Sequence, residues 1–260
     1  MSYPQIDPEI FSIGPLSVRW YGMMYLLAFV LGFGIVRYLG KLRHLAISKE
    51  TVSDLFFYVM LGVILGGRLG YVLFYNFDFY LHHPLSIPAV WEGGMSFHGG
   101  LLGVIIASYL FCRKKDLPVL LVGDILVAAA SLGLGFGRLG NFINAELWGR
   151  TTDMPWGMVF PGAGPLPRHP SQLYEAVLEG AVLFSLLMWM HHKKATYGIP
   201  FFSFFFFYGC FRFFVEFFRE PDAQLGFLWS FVTMGQLLSV PMILFAIGGW
   251  LFVFKKRQNE

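Results

Sequence analysis

The chain has 260 residues, of which 56% are hydrophobic and 13% charged, and its 19 basic side chains exceed the 16 acidic ones by a formal charge of +3. Ordinary soluble domains are about 25% charged. So few polar groups cannot cover a globular surface in water, which excludes a soluble enzyme and leaves no expectation of a nucleic-acid partner.

A bilayer core about 30 Å thick requires roughly 20 apolar residues per helix, and the sequence contains seven such stretches. The first, Trp20 to Val36, carries no charge, and the second, Leu55 to Leu73, is broken only by Arg68. The third, Met95 to Cys112, contains His98, and the fourth, Leu117 to about Phe142, holds Asp124 near its start and Arg138 near its end. The fifth, Tyr174 to Met190, opens with Glu175 and Glu179; the sixth, Ile199 to Phe218, contains Arg212 and Glu216. The seventh, Leu225 to Phe254, is uncharged and interrupted at Pro241. Barrel strands alternate over about ten residues, whereas these runs are longer and unbroken, so helices are expected. The N-terminus has Pro4, Asp7 and Glu9 and no basic residue before Arg19. It lacks the start of a cleavable signal peptide and is expected to stay on the mature protein.

Lysine and arginine collect in cytoplasmic loops. The clusters Arg37/Lys41/Arg43/Lys49, Arg113/Lys114/Lys115, Lys193/Lys194 and Lys255/Lys256/Arg257 follow the first, third, fifth and seventh stretches. With seven crossings all four share one face, so the N-terminus is expected outside and the C-terminus in the cytoplasm. The expected fold is an all-α integral membrane protein of seven transmembrane helices. It forms a single polytopic domain over 1–260, with a small extracytoplasmic cap at about 143–170.

The basic residues outside those clusters are all arginine: Arg19, Arg68, Arg138, Arg150, Arg168, Arg212 and Arg219. Arginine's planar fork binds phosphate or carboxylate through two parallel bonds, which lysine cannot do. Arg68, Arg138 and Arg212 each fall within about two turns of the outer end of their stretch, a depth that suits lipid headgroups. Each such charge costs roughly 2.5–3.5 kcal/mol near the bilayer centre and needs a partner or water. Structural pairing is one account, Arg212 with Glu216 one turn on and Arg138 with a glutamate of the fifth stretch. An outward-facing anion site is the other. Gly66-Gly67-Arg68-Leu69-Gly70 and Gly135-Phe136-Gly137-Arg138-Leu139-Gly140 repeat one pattern. Its glycines serve close helix packing or the approach of a ligand to the backbone.

His98, in Met95-Ser96-Phe97-His98-Gly99-Gly100, stands at the outer end of the third stretch. Flanking glycines leave it sterically open, and an ordinary pKa of about 6.5 suits proton transfer near neutrality. Cys112 and Cys210 lie in different stretches and imply no disulfide framework. His82-His83 and His191-His192 lack further ligands at metal spacing, so no metal site is expected, and without a P-loop or dinucleotide fingerprint no organic cofactor is expected either. The phenylalanines between Phe201 and Phe218 are read as helix packing and lipid-facing bulk.

The segment from Gly137 through Arg138, Asn141, Asn144 and Glu146 to Gly149 resembles the signature of the prolipoprotein diacylglyceryl transferase family. Trp20-Tyr21-Gly22, the His98 segment, Arg168-His169-Pro170 through Glu175, and Arg212 through Glu216 to Arg219-Glu220-Pro221-Asp222 resemble family segments in the same order. The resemblance covers nearly the whole chain; the segment between Phe160 and Arg168 is short for the family. It implies a bacterial cytoplasmic-membrane enzyme that moves the diacylglyceryl group of phosphatidylglycerol to the lipobox cysteine of prelipoprotein signal peptides, releasing glycerol 1-phosphate. It implies Arg138 and Arg212 as the phosphate-binding pair, His98 as the candidate base, and Tyr21, Asn141, Glu146 and Gly149 as functional positions. Arg68, Asn144, Glu216 and Arg219 complete the expected substrate contacts, Glu216 by orienting Arg212. Membrane lipids are the surrounding partner. The rival readings are a lipid flippase or transporter, with the arginines as a translocation site, and a lipid phosphotransferase.

Overall fold

A computed structural model describes residues 1–14, 16–221 and 232–258. The chain divides into two compact units, Met1–His44 with Gly123–Glu260, and Leu45–Val122.

The first unit opens with a feature absent from the all-helical expectation, an antiparallel hairpin of β1 (Glu9–Ile13) and β2 (Leu16–Arg19). Gly14 turns the chain with φ of +60°, a conformation glycine adopts without steric cost. Helix α1 (Trp20–Leu42) follows directly. Its Leu26 and Val30 are 53% and 61% exposed, apolar surface that only lipid covers without cost. Helix α5 (Val119–Ile143) leads to a non-helical segment, after which α6 (Ser171–Glu175), a π-helical stretch (Ala176–Val182) and α7 (Leu183–His192) run on as one 22-residue helix. Helices α8 (Ile199–Val215) and α9 (Met234–Gln258) complete the unit.

Charges within the apolar stretches fix where helices start. The buried Asp124 carboxylate accepts the amides of Gly198 and Phe201, each at 2.8 Å. It thereby satisfies first-turn donors of α8 that have no partner within the helix. Thr233 and Gln236 exchange side-chain-to-amide bonds of 3.3 and 3.1 Å, a reciprocal cap that begins α9 at Met234. The start expected at Leu225 lies outside the described residues. Pro241 does not interrupt this helix as the sequence reading expected; it lies inside α9, as membrane helices tolerate. The phenylalanines of α8 pack on α9, with Phe202 against Ala246 and Val253 and with Phe206 against Trp250.

Residues 144–170 are tied down by pairing within the segment and with distant chain. Thr151 and Met158 bridge to Arg168, Gly149 bridges to Arg219, and Ser2 bridges to Val159. The α-amino group of Met1 donates to the Gly157 carbonyl at 2.5 Å. Tyr3 is buried between Phe142 and Phe160, its hydroxyl 2.6 Å from the Phe142 carbonyl at the end of α5.

The second unit packs α2 (Lys49–Phe74) on α4 (Phe97–Lys114), joined through the short α3 (Phe77–His82) and two single turns. Gly62, Gly66 and Gly70 face Gly99 and Gly103 so closely that a Cβ on Gly62 would stand 2.5 Å from the Gly103 carbonyl oxygen. One on Gly70 would stand 2.8 Å from the Gly99 Cα. This is small-residue packing, with backbones in direct contact.

Among the described residues five helices are long and apolar enough to cross a membrane: Trp20–Leu42, Lys49–Phe74, Val119–Ile143, Ser171–His192 and Met234–Gln258. The protein is a multi-pass membrane protein. The stretches expected as third and sixth spans form α4 and α8, of 18 and 17 residues.

Candidate active site

In the first unit a glycine contact sets the geometry of a charge cluster. Gly135 of α5 and Gly180 of the π-helical stretch meet backbone to backbone, and a Cβ on Gly135 would fall 3.0 Å from the Gly180 Cα. That approach lays Arg138, one turn beyond Gly135, against two glutamates of the opposing helix. Its Nε stands 3.4 Å from Glu175 Oε2 and its Nη2 3.6 Å from Glu179 Oε2. The helix is π-wound where it carries Glu179, a winding that often marks functional sites.

Arg212, in the last turn of α8, reaches the same carboxylate. It pairs with Glu175 through Nη1 and with Glu216 through Nη2 at 2.5 Å. Arg219 places Nη1 3.3 Å from Glu175 Oε1 and Nε 4.0 Å from Glu216 Oε1. Glu175 therefore binds three arginines at once and Glu216 two. The carboxylate of Glu216 has room because Gly235 faces it, where a Cβ would stand 2.6 Å from the carboxyl carbon. The carboxylates of Glu175 and Glu179 are fully buried, whereas the side chains of Arg138 and Arg212 remain 17% and 15% exposed. Buried carboxylates fix the orientation of arginine side chains that are not themselves fully buried, an arrangement suited to an incoming anion.

Beyond Arg138 the chain turns back on itself. Asn141 and Asn144 donate to Glu146 Oε1 at 2.8 and 3.4 Å, and Gln172 donates to the Glu146 carbonyl at 2.6 Å. Both expected asparagines are thus ligated to the expected glutamate. Tyr21, on α1, lies against Gly140, where a Cβ would approach its ring to 2.8 Å. It is within electrostatic reach of Glu146 and Arg138, and its hydroxyl is 3.1 Å from that of Tyr25.

Gly149 sits where backbones converge. Its amide donates to the His169 carbonyl at 2.9 Å, and a Cβ there would lie 2.5 Å from the Phe218 carbonyl oxygen and 2.6 Å from that of His169. Arg150 secures the same junction, donating to the carbonyls of Arg219 and Glu216 at 2.8 and 3.0 Å. The position of Gly149 is accounted for by packing. Beside it, His169 Nδ1 is 3.1 Å from the Tyr174 hydroxyl, which accepts from Trp156 Nε1 at 2.7 Å. Burial lowers the His169 pKa below its ordinary value.

In the second unit Arg68, an expected substrate contact, has partners on its own chain. It is buried and donates to the carbonyls of Ile87 and Ser86 at 2.7 Å and of Gly93 at 2.5 Å, with its guanidinium over the Tyr80 ring. Its donors hold the loop between α2 and α4. His98 is exposed in the first turn of α4, where the Ser96 hydroxyl accepts the Gly99 amide at 3.2 Å; its ring stands edge-to-face with Phe97.

Glu175, Glu179 and Arg150 were not among the expected site residues. Two glutamates one turn apart at the head of an apolar stretch were the available signal.

Residues 8–252 match the sequence model of the family described as prolipoprotein diacylglyceryl transferase. The chain belongs to that family. The phosphatidylglycerol–prolipoprotein diacylglyceryl transferase of Geobacter sulfurreducens is 56% identical over 257 residues, 99% of each chain. Its namesake from Pseudoalteromonas atlantica is 55% identical over all of this chain and 92% of its own, and that from Vibrio vulnificus 52% over all of this chain and 96% of its own. The family match spans both the Arg138–Glu175–Arg212 cluster and the His98 segment.

Proposed function

We propose that this protein is a transferase that moves the diacylglyceryl group of phosphatidylglycerol to a prolipoprotein, the first step of lipoprotein maturation. The observation that carries this reading is 56% identity over nearly the full length to a relative of that name. The acceptor is the thiol of the lipobox cysteine. As a base takes the thiol proton, sulfur attacks the phosphate-bearing carbon of the diacylglyceryl unit, the carbon–sulfur bond of a thioether forms, and the bond from that carbon to the phosphate oxygen breaks. The electron pair leaves on the phosphate oxygen as glycerol 1-phosphate.

Charge grows on that phosphate as the bond breaks, and stabilising it is the task assigned to Arg138 and Arg212. Their shared carboxylate, Glu175, supports the assignment, because it holds both guanidiniums in a fixed orientation before substrate arrives. Arg219 and Glu216 extend the same lattice. Asn141 and Asn144, with Glu146, are assigned to the lipid's phosphate or glycerol hydroxyls, and Tyr21 to the same end of α5. A thiol with pKa near 8.5 is only a few per cent ionised at pH 7, so a base aids attack. His98 is assigned that role on its chemistry and its exposed place at the start of α4. Gly149 is assigned to the backbone junction beside Arg219, and Arg68 to holding the loop between α2 and α4.

The protein is further proposed to cross the bacterial inner membrane seven times as one polytopic domain, with the N-terminus outside, the C-terminus cytoplasmic and residues 143–170 as an outer cap. Lysine placement supports the orientation. Single cysteines at Lys41, Lys114 and Lys194 are then shielded from an impermeant outside reagent, while those at Ser86 and Ala163 react. Incubating purified protein with lipid labelled separately in its glycerol, phosphate and diacylglyceryl parts, plus a lipobox peptide, tests the chemistry. Diacylglyceryl on sulfur is the expected result. Phosphorus on the peptide, or lipid moved across vesicles without any transfer, would instead favour a phosphotransferase or a transporter.

A further inference from the structure

Glu179 is left over by the reading above. It is fully buried, and among the described residues neither carboxylate oxygen has a hydrogen-bond partner within 3.5 Å. Its ion pair is with Arg138 Nη2, at 3.6 Å from Oε2. Glu175 faces it from its own helix, Arg138 from α5, Arg212 and Tyr208 from α8, and Arg219 from beyond α8; Glu216 braces Arg212 and Arg219 from the far side. Among the described residues, the guanidiniums of Arg138, Arg212 and Arg219 face the carboxylates of Glu175, Glu179 and Glu216. The members differ in how firmly they are bound. Glu175 is shared by three guanidiniums and Glu216 by two, while Glu179 makes one long pair.

A guanidinium in a low-dielectric site needs a counter-ion when substrate is absent. A carboxylate without other bonds is the one most easily exchanged for a different anion. The substrate's phosphate is a phosphodiester with a single negative charge, whereas the product is a phosphomonoester with about −1.5 to −2 at neutral pH. Bare arginines would therefore hold product more tightly than substrate. A fixed negative charge beside Arg138 works against the more highly charged anion.

We propose that Glu179 is a positioning residue that acts through Arg138: it neutralises that guanidinium in the empty site, yields it to the lipid phosphodiester, and reclaims it to expel the phosphomonoester product. The site is thereby matched to a monoanionic phosphodiester and set against a phosphomonoester. This rests on the assignment of Arg138 to the lipid phosphate.

The test uses the full-length purified protein in detergent, with glycerol 1-phosphate as the probe. Its Kd is measured by calorimetry for wild type, Glu179→Gln, Glu179→Asp and Arg138→Gln, and steady-state transfer is followed for the active forms. Glu179→Gln keeps the shape and removes the charge. Its Kd for glycerol 1-phosphate falls at least about tenfold, since a unit charge a few Å away remains strongly felt at an effective dielectric near 20. KM for phosphatidylglycerol falls with it, and kcat falls because release slows. Glu179→Asp, which withdraws the charge by one methylene, shifts the same constants in the same direction by less, and serves if Glu179→Gln accumulates poorly. A purely structural role for Glu179 would lower accumulation or kcat and leave Kd where it was; an unchanged or raised Kd in both variants overturns the proposal. Arg138→Gln separates the two levels. If it abolishes glycerol 1-phosphate binding while the Glu179 variants change nothing, only the counter-ion role fails. If it leaves binding intact, the phosphate assignment fails, and the role of Glu179 with it.

Discussion

Gly66-Gly67-Arg68-Leu69-Gly70 and Gly135-Phe136-Gly137-Arg138-Leu139-Gly140 are spelled almost alike, and both put an arginine near the end of an apolar helix against a glycine-packed neighbour. The guanidiniums end in different company. Arg68 donates to the carbonyls of Ser86, Ile87 and Gly93. Arg138 is held by the carboxylates of Glu175 and Glu179, and its side chain is 17% exposed. Carbonyls of a loop are neutral, fixed acceptors that leave an arginine as part of the backbone's hydrogen bonding. Carboxylates are anions, and another anion can take their place. Partner chemistry, more than local sequence or depth, divides the structural arginine from the candidate for substrate.

The largest effect should fall on that division. Arg138→Gln or Arg212→Gln is expected to abolish transfer while the protein still accumulates in the membrane, and Lys at either position should restore charge without bidentate geometry and leave weak activity. Arg68→Gln should behave in the opposite way. It strands carbonyls that each lose a bond to a charged donor, at about 1.5–3 kcal/mol apiece, so melting temperature and yield drop while kcat of the surviving protein stays near wild type. Membrane assays normalised to folded protein would distinguish these outcomes. Near-normal activity in both the Arg138 and Arg212 variants would erase the contrast.

His98→Gln extends the comparison to the second unit, where His98 is exposed and Arg68 buried. Loss of a positioned base should lower turnover by roughly 10²–10⁴-fold near neutrality. The deficit should shrink from pH 6 to pH 9, because the substrate thiol ionises unaided as pH rises. KM for phosphatidylglycerol should barely move. A defect confined to lipid affinity, with no recovery at high pH, would make His98 a binding residue.

How far the sequence disclosed these arrangements depends on distance along the chain. Apolar runs located the helices, because lipid demands long uninterrupted stretches. The pairing of Arg212 with Glu216 is a one-turn spacing and was legible as one of two readings. Glu175 as a shared partner of Arg138, Arg212 and Arg219 was not legible, since three separate segments must fold before they meet on one carboxylate. The reciprocal cap of Thr233 and Gln236 decided where α9 begins, and a search for apolar runs passes over such polar pairs. The hairpin at Glu9–Arg19 was too short for its alternation to stand out. Arg68 shares the expected depth of Arg138 and Arg212 and the glycine pattern of Arg138; the loop carbonyls that it meets belong to a segment whose folding its own helix does not disclose.

Gly149→Ala probes a junction that is tight on both sides. Its Cβ would press on the carbonyl oxygens of Phe218 and His169, neither of which is the end of a flexible side chain. Overpacking of this kind costs about 1–3 kcal/mol. Thermal unfolding should show that loss, and transfer should decline with it as the junction beside Arg219 shifts.

The smallest effect is expected at Gly137, one of the glycines of the two matching segments. A methyl on Gly66 would meet the Gly103 Cα at 2.8 Å, so Gly66→Ala should cost about 1–3 kcal/mol through forced separation of α2 and α4. Nothing lies within 4 Å of the position a Cβ would take on Gly137. Alanine also favours a helix interior over glycine by about 0.8–1.0 kcal/mol, so Gly137→Ala should leave the melting temperature unchanged or slightly raised. The pair thus tests whether the repeated glycines do one job or two. Equal destabilisation would mean that both segments use glycine for helix packing. A Gly137→Ala protein that is fully stable yet has a raised KM for phosphatidylglycerol would place the lipid against the backbone beside Arg138, a contact with no counterpart beside Arg68.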